Sequence, residues 1–245
     1  MLPILFQDDY LIAIDKPPGL LVHRSDLDRQ ERRFALQMLR GQAGREVHPV
    51  HRLDRGASGV LIFALDRDTA RAASRLFESK AVEKSYLAVV RGWPPEQGEI
   101  VHPLPRRPDD YEIPGGFGEA ATQAAVTRYR RLATAELPYP ANQFPTSRYA
   151  LLHLEPLTGR RHQLRRHLKH IAHPIIGDST YGKGPHNRLF RDLFACRRML
   201  LACLELRFLH PVTGTALTVT APLSGEFASV VRRLAWSESL PANWL

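Results

Sequence analysis

The chain has 245 residues, 44% hydrophobic and 24% charged, which is enough apolar material for one large folded domain and too much for a disordered chain. Lysine and arginine outnumber aspartate and glutamate 34 to 25, a formal charge of +9 at pH 7, and the isoelectric point is near 10.0, so a polyanion is the expected partner and nucleic acid the first suspect. The two cysteines, Cys196 and Cys203, are too few for a disulfide framework and too far apart for a CxxC site, which points to buried thiols and a cytoplasmic location.

At the start, Gln7-Asp8-Asp9 interrupts the apolar residues before an export signal can form. Residues 4–14 read as two short strands around that turn, and Lys16-Pro17-Pro18-Gly19 stops regular structure. A short helix is predicted over 34–39, closed by Gly41, and 47–55 reads as irregular. The longest apolar run, 60–65, is of strand length and no membrane span is expected. Asp66 then caps a helix whose Ala70, Ala73, Leu76 and Phe77 keep a spacing of three and four. Residues 86–90 form a strand, and 92–118, rich in Pro, Gly and charge, read as a surface excursion with no core of its own.

Strands over 125–136 and 149–154 lead to a turn at Thr158-Gly159 and a helix over 160–171, which His173-Pro174 stops. A hairpin of 199–209 with 216–219 and a last helix over 225–236 complete the chain. The fold class is α+β, with a mixed, largely antiparallel central sheet flanked by helices and loops, in a single domain over 1–245.

Two stretches carry candidate chemistry. Arg160-Arg-His-Gln-Leu-Arg-Arg-His-Leu-Lys-His170 holds five Lys/Arg and three His without an acid, a nucleic-acid footprint against the plainer reading of a solvated helix. On a helix Leu164, Leu168 and Ile171 share one face, while His162, Arg166 and Lys169 lie opposite. Arg165 sits at the boundary, placed to reach inward to a carboxylate. No metal is expected: His162 and His167 lack zincin spacing, and the arginines oppose a dication. The second stretch is His51-Arg-Leu-Asp-Arg-Gly-Ala-Ser-Gly59, directly before the buried strand. Asp54 there is either a turn or salt-bridge residue, or an ionised carboxylate able to attack an electrophilic carbon or steady a developing cation. Gly56 and Gly59 allow close backbone approach. No GxSxG elbow, phosphate loop or dinucleotide fingerprint occurs, and Gly115-Gly116-Phe117-Gly118 lacks the following helix, so no cofactor is expected.

The segment 51–59 resembles the signature of the RluA-type pseudouridine synthases, with Ala57 where most relatives carry threonine. Lys84-Ser-Tyr-Leu-Ala88, Gly159-Arg-Arg-His-Gln-Leu-Arg165 and His173-Pro-Ile-Ile-Gly-Asp178 resemble three further family blocks in the same order. The resemblance implies the pseudouridine synthase fold with an active-site cleft across the sheet, and isomerisation of uridine in RNA without metal or cofactor. It implies Asp54 as the catalytic carboxylate, Tyr86 packed against the target base, Arg165 paired with Asp54, and Arg52 filling the gap left by the flipped base. Arg55, Arg160, Arg161, His162, Arg166 and Lys169 are the expected RNA contacts.

Within the family, residues 21–29 and 163–168 most resemble members that modify the uridine at position 65 of tRNA. A separate N-terminal, S4-like RNA-binding domain is not expected, and a monomer is. Ribosomal RNA as substrate, or RNA binding without catalysis, are the alternative readings.

Overall fold

The computed structural model describes residues 1–23, 32–106 and 121–245. Residues 24–29 of the tRNA-type segment and 107–118 of the expected excursion therefore lie outside the described residues. Strands β1 (Ile4–Gln7) and β2 (Leu11–Lys16) are followed by helix α1 (Ala35–Ala43), β3 (His48–Pro49), β4 (Ser58–Ala64), α2 (Arg67–Glu78) and β5 (Glu83–Arg91). Then come β6 (Gln97–Val101), β7 (Leu104–Pro105), β8 (Thr122–Gln123), β9 (Val126–Leu137) and β10 (Ser147–Pro156). Helices α3 (Gln163–His170) and α4 (Gly184–Phe194), strands β11 (Leu201–Leu209) and β12 (Ala216–Thr220), and helix α5 (Gly225–Arg233) complete the order.

The main sheet runs β1-β2-β4-β11-β5-β10-β9-β6, with β12 also on β11 and β3 on β4. Among the named strands every pairing is antiparallel except β4 with β11, the largely antiparallel α+β architecture expected from the sequence. Alternation along the strands divides the core. Leu87 and Val89 of β5 and Tyr149 and Leu151 of β10 face Phe190 of α4 and Phe227 of α5. Their neighbours Ala88, Val90, Ala150 and Leu152 face Leu164 and Leu168 of α3. A separate cluster packs α1 and α2 against β2 and β4.

Several local readings hold for the reasons that suggested them. Asp8 closes the first turn by accepting from the Tyr10 and Leu11 amides, and Asp66 caps α2 by accepting from the Thr69 amide. Both cysteines are buried and free. At Gly59 (φ 106) a Cβ would run into the Cys203 carbonyl, so the close approach there is the parallel seam itself.

Other boundaries move. Helix α1 continues through Gly41 and ends at Gly44 in the left-handed conformation (φ 65), because its last turn needs that geometry one residue beyond Ala43. Helix α3 begins at Gln163, not 160. The Gln163 Oε1 accepts from the Arg160 amide at 3.0 Å and the Thr158 hydroxyl at 2.7 Å, its Nε2 donates to the Val126 carbonyl and Thr127 Oγ1, and His162 is left-handed (φ 54). The stretch after Gly92 is not wholly core-free: β6 extends the sheet beside β9, and Ile100 and Leu104 are buried. Helix α4 has no counterpart in the sequence reading, and α5 stops at Arg233. None of the described helices is long and apolar enough to cross a membrane.

Candidate active site

The loop between β3 and β4 carries Asp54, and contacts of His51, Lys16 and Arg55 fix it. His51 stacks on Phe77 of α2 with ring centroids 4.5 Å apart, and its Nε2 accepts from the Ile62 amide at 3.0 Å. Burial, with Lys84 adding to it, pushes this imidazole down to about 3, so it stays neutral and keeps its acceptor. Lys16, fully buried at the end of β2, donates from Nζ to the carbonyls of Pro17 (3.0 Å), Leu20 (2.8 Å) and Arg55 (3.3 Å). Burial pushes it down to about 7, against the opposing charge of Asp54. The Gly19 amide donates to the Arg55 carbonyl, and the Arg55 Nε returns a bond to the Gly19 carbonyl. The neighbouring carboxylate is thereby presented on a rigid platform.

Asp54 keeps 19% side-chain exposure. Its Oδ2 accepts from Arg165 Nη1 at 3.1 Å, the ion pair that the resemblance implied. The boundary position of Arg165 on α3 has become nearly complete burial, and a third residue accounts for this. Asp178 accepts from Arg165 Nε at 2.7 Å and Nη2 at 2.9 Å, a bidentate fork. Its Oδ1 also accepts from the Thr180 and Tyr181 amides, and its side chain has no exposure. Burial works against both charges. Even so, the Asp178 hydrogen bonds and the Asp54 charge hold the guanidinium above its ordinary range, and the Arg165 and backbone bonds hold the Asp178 carboxyl below its own. Sequence reasoning places Asp178 within a motif without giving it a role; the signal was an Asp opening an Asp-Ser-Thr turn, which is also how countless inert turns look.

His162, expected as an RNA contact, caps α3 and turns toward Asp54, with Nε2 4.0 Å from Asp54 Oδ1 and Nδ1 sharing a 3.1 Å hydrogen bond with the Tyr181 hydroxyl. Burial lowers its basicity; Asp54 opposes this, and Arg165, Arg161 and Arg52 reinforce it.

Two cavities meet at this carboxylate. One of about 760 Å³ runs past Gly19, Arg55, Arg165, Asp178 and Arg198. The other, about 600 Å³, runs past Tyr86, Leu164, Leu201, Arg106, Arg160 and Arg166. Arg52, Leu53, Asp54, Arg161 and His162 line both. Tyr86 on β5 lies beside Cys203 of β11, and burial, strengthened by Cys203 and Asp54, raises its phenol well above 10, keeping it protonated. A protonated ring beside Leu164 and Leu201 suits a flat aromatic guest.

Of the expected RNA contacts, Arg52, Arg55, Arg160, Arg161, His162 and Arg166 line one cavity or the other, whereas Lys169 lines neither and sits 5.7 Å over the Tyr181 ring. Arg160 and Arg166 are partly engaged, donating to the carbonyls of Ala124 and Pro105. Ala57 is buried in the same apolar cluster as Met199 and Leu201, where a methyl group packs without a polar atom to satisfy. Among the described residues no group of three or more His, Cys, Asp or Glu is arranged to hold a metal ion.

The chain is similar to known proteins over most of its length. A family model described as RNA pseudouridylate synthase matches residues 10–170. A tRNA pseudouridine synthase C from Vibrio cholerae is 46% identical over 99% of this chain and 100% of the relative. Another, from Haemophilus ducreyi, is 48% identical over 96% of each. The solved structure of human RNA Pseudouridylate Synthase Domain Containing 4 aligns with a TM-score of 0.70 at 28% identity, covering 95% of this chain and 93% of that one. The chain belongs to the RNA pseudouridylate synthase family.

Proposed function

We propose that this protein isomerises uridine to pseudouridine in tRNA, at position 65, with Asp54 as the catalytic carboxylate. The observation that carries the reading is the placement of Asp54 where two cavities join, held by an arginine that a fully buried second carboxylate anchors. The tRNA substrate follows from relatives named tRNA pseudouridine synthase C that align over nearly the full length of both chains.

The reaction breaks the N1–C1′ bond, turns the uracil, and forms a C5–C1′ bond; C5 loses a proton and N1 gains one, so the product is an isomer and no cofactor enters. A uridine in a stem is out of reach, and extruding it costs a few kcal/mol. Arg52, on the rim shared by both cavities, is the planar group that fills the hole. Tyr86 stacks on the extruded base, and Leu164 and Leu201 close the pocket beside it, so the detached uracil is held while it turns. Arg165 fixes the carboxylate toward the sugar, and Arg55, Arg160, Arg161, His162, Arg166 and Lys169 contact the RNA. The protein acts as a monomer through one catalytic domain over residues 1–245, without metal.

Incubation with unmodified tRNA transcript tritiated at uridine C5 tests the reading. Tritium release from tRNA, with carbodiimide labelling mapped to position 65, is the expected result. Asp54→Asn is expected to bind the transcript with unchanged affinity and release nothing. Release from ribosomal RNA alone overturns the substrate, and turnover by Asp54→Asn overturns the catalytic assignment.

A further inference from the structure

Beyond the cleft, the same wall continues onto a face that the sequence reading did not foresee. A third depression, of about 530 Å³, is lined by Gly177, Asn187, Arg188, Arg191, Cys196 and Arg197. Gly177 and Arg197 also line the cavity that contains Asp54, so the two are continuous. Arg188, Arg191 and Arg197 are exposed. Arg191 pairs with the exposed Asp192 at 3.0 Å, and neither Arg188 nor Arg197 has a carboxylate partner among the described residues. The nearby Glu226 turns its Oε2 to the backbone amides of Arg197 and Arg198. The depression is thus cationic, and no aromatic ring lines it on which a base could stack.

Its floor is tied to the catalytic pair. Asn187 of α4 accepts from the Gly177 amide at 2.8 Å and donates to the Asp178 carbonyl at 3.0 Å, so the arginine face is fixed to the turn that anchors Arg165.

We infer that the Arg188–Arg191–Arg197 face binds sugar-phosphate backbone of the substrate RNA beyond the extruded nucleotide, setting the register of the RNA on the enzyme. The inference rests on the proposed RNA-modifying function. In an RNA stem the deep, narrow groove keeps base edges out of reach of side chains, so exposed guanidinia meet phosphate oxygens, and phosphate binding of that kind acts on affinity and its salt dependence and leaves the chemical step alone.

The test compares the wild type with the triple variants Arg188→Gln/Arg191→Gln/Arg197→Gln and Arg188→Lys/Arg191→Lys/Arg197→Lys. Tritium release from tRNA transcript and filter binding of the same transcript are measured from low to moderate potassium chloride. The glutamine variant is expected to keep kcat, to raise KM about tenfold or more, and to flatten the dependence of log affinity on log salt by about two to three units, roughly 0.7–0.9 for each phosphate that is no longer neutralised. The lysine variant restores most of the slope, which a merely structural role of these side chains would not produce. Arg71→Gln on α2, exposed and paired with Asp68, is expected to change neither quantity.

An unchanged KM and salt slope in the glutamine variant, beside normal wild-type turnover, overturns the inference alone. Wild-type protein that releases no tritium from tRNA, yet loses salt-dependent RNA binding in the glutamine variant, overturns the proposed function and leaves this surface standing.

Discussion

Asp178→Asn isolates what the buried carboxylate does, because the change keeps the shape and removes the charge. The wild-type site sets the two carboxylates of Asp54 and buried Asp178 around the one cation of Arg165, with the guanidinium giving Nη1 to Asp54 and Nε and Nη2 to Asp178. An asparagine can keep its oxygen where Oδ1 now accepts from Arg165 Nη2, Thr180 and Tyr181. Its amide nitrogen then confronts Arg165 Nε, donor against donor. One charge-assisted bond disappears, and the remaining anion draws Arg165 toward Asp54. Breaking a buried pair by removing one charge costs about 3–5 kcal/mol, and misplacing a reacting group by about 1 Å costs roughly a hundredfold in rate. Urea unfolding reads the first quantity and single-turnover tritium release at saturating enzyme reads the second, while filter binding shows that tRNA affinity is retained. A variant that unfolds like the wild type refutes the assignment of Asp178 as a structural anchor. One that is destabilised yet isomerises within about threefold of the wild-type rate refutes the claim that the anchor positions Arg165 for catalysis.

Two further outcomes follow from the platform beneath the site. Gly59→Ala is expected to cost several kcal/mol, since its φ of 106 and the Cys203 carbonyl leave no space for a Cβ; a thermal midpoint within about two degrees of wild type contradicts the tight β4–β11 seam. His51 is held neutral down to about pH 3 in the folded protein, whereas in the unfolded chain it takes up a proton near 6.5. Stability is therefore lost as pH falls through the window from about 6.5 to 3, by up to about 1.4 kcal/mol per pH unit from this group. His51→Asn retains an acceptor without that titration, so its urea midpoint falls less steeply over the same window; parallel slopes for the two proteins refute the buried neutral imidazole.

How far the sequence exposes this design depends on the kind of signal each part leaves. Asp66 declares α2 because a cap and an apolar spacing are both local, and the unbroken run through β4 declares a strand buried on both faces. Asp54 and Arg165 are legible as a pair through motif resemblance, the carboxylate between two arginines and the arginine on the edge of an apolar stripe. Asp178 is not, because its meaning lies in a partner 13 residues away that only the packing of α3 against the following turn brings near. Helix α4 escapes notice since Gly184-Pro185 opens it and Arg188, Arg191 and Asp192 dilute its apolar face, which tertiary packing of Phe190 and Phe194 alone reveals. Strand β6 hides for the opposite reason: Pro94, Pro95 and Gly98 read as loop, and only pairing with the long β9 makes it a strand.

The place of β11 bears on how the protein is made. Strand β4 ends at Ala64 and β5 begins at Glu83, yet the strand between them in the sheet starts only at Leu201. Without the C-terminal segment, β4 and β5 have no strand between them, and their facing backbone edges lack the partner that β11 supplies. Gly59 and Ser58 meet Cys203 and Arg198 only when that segment takes its place. The pairings of β11 with β4 and β5 are non-local closures, a slow class of folding event. A chain that stops short of β11 lacks the strand that pairs both with β4, next to the Asp54 loop, and with Tyr86 of β5.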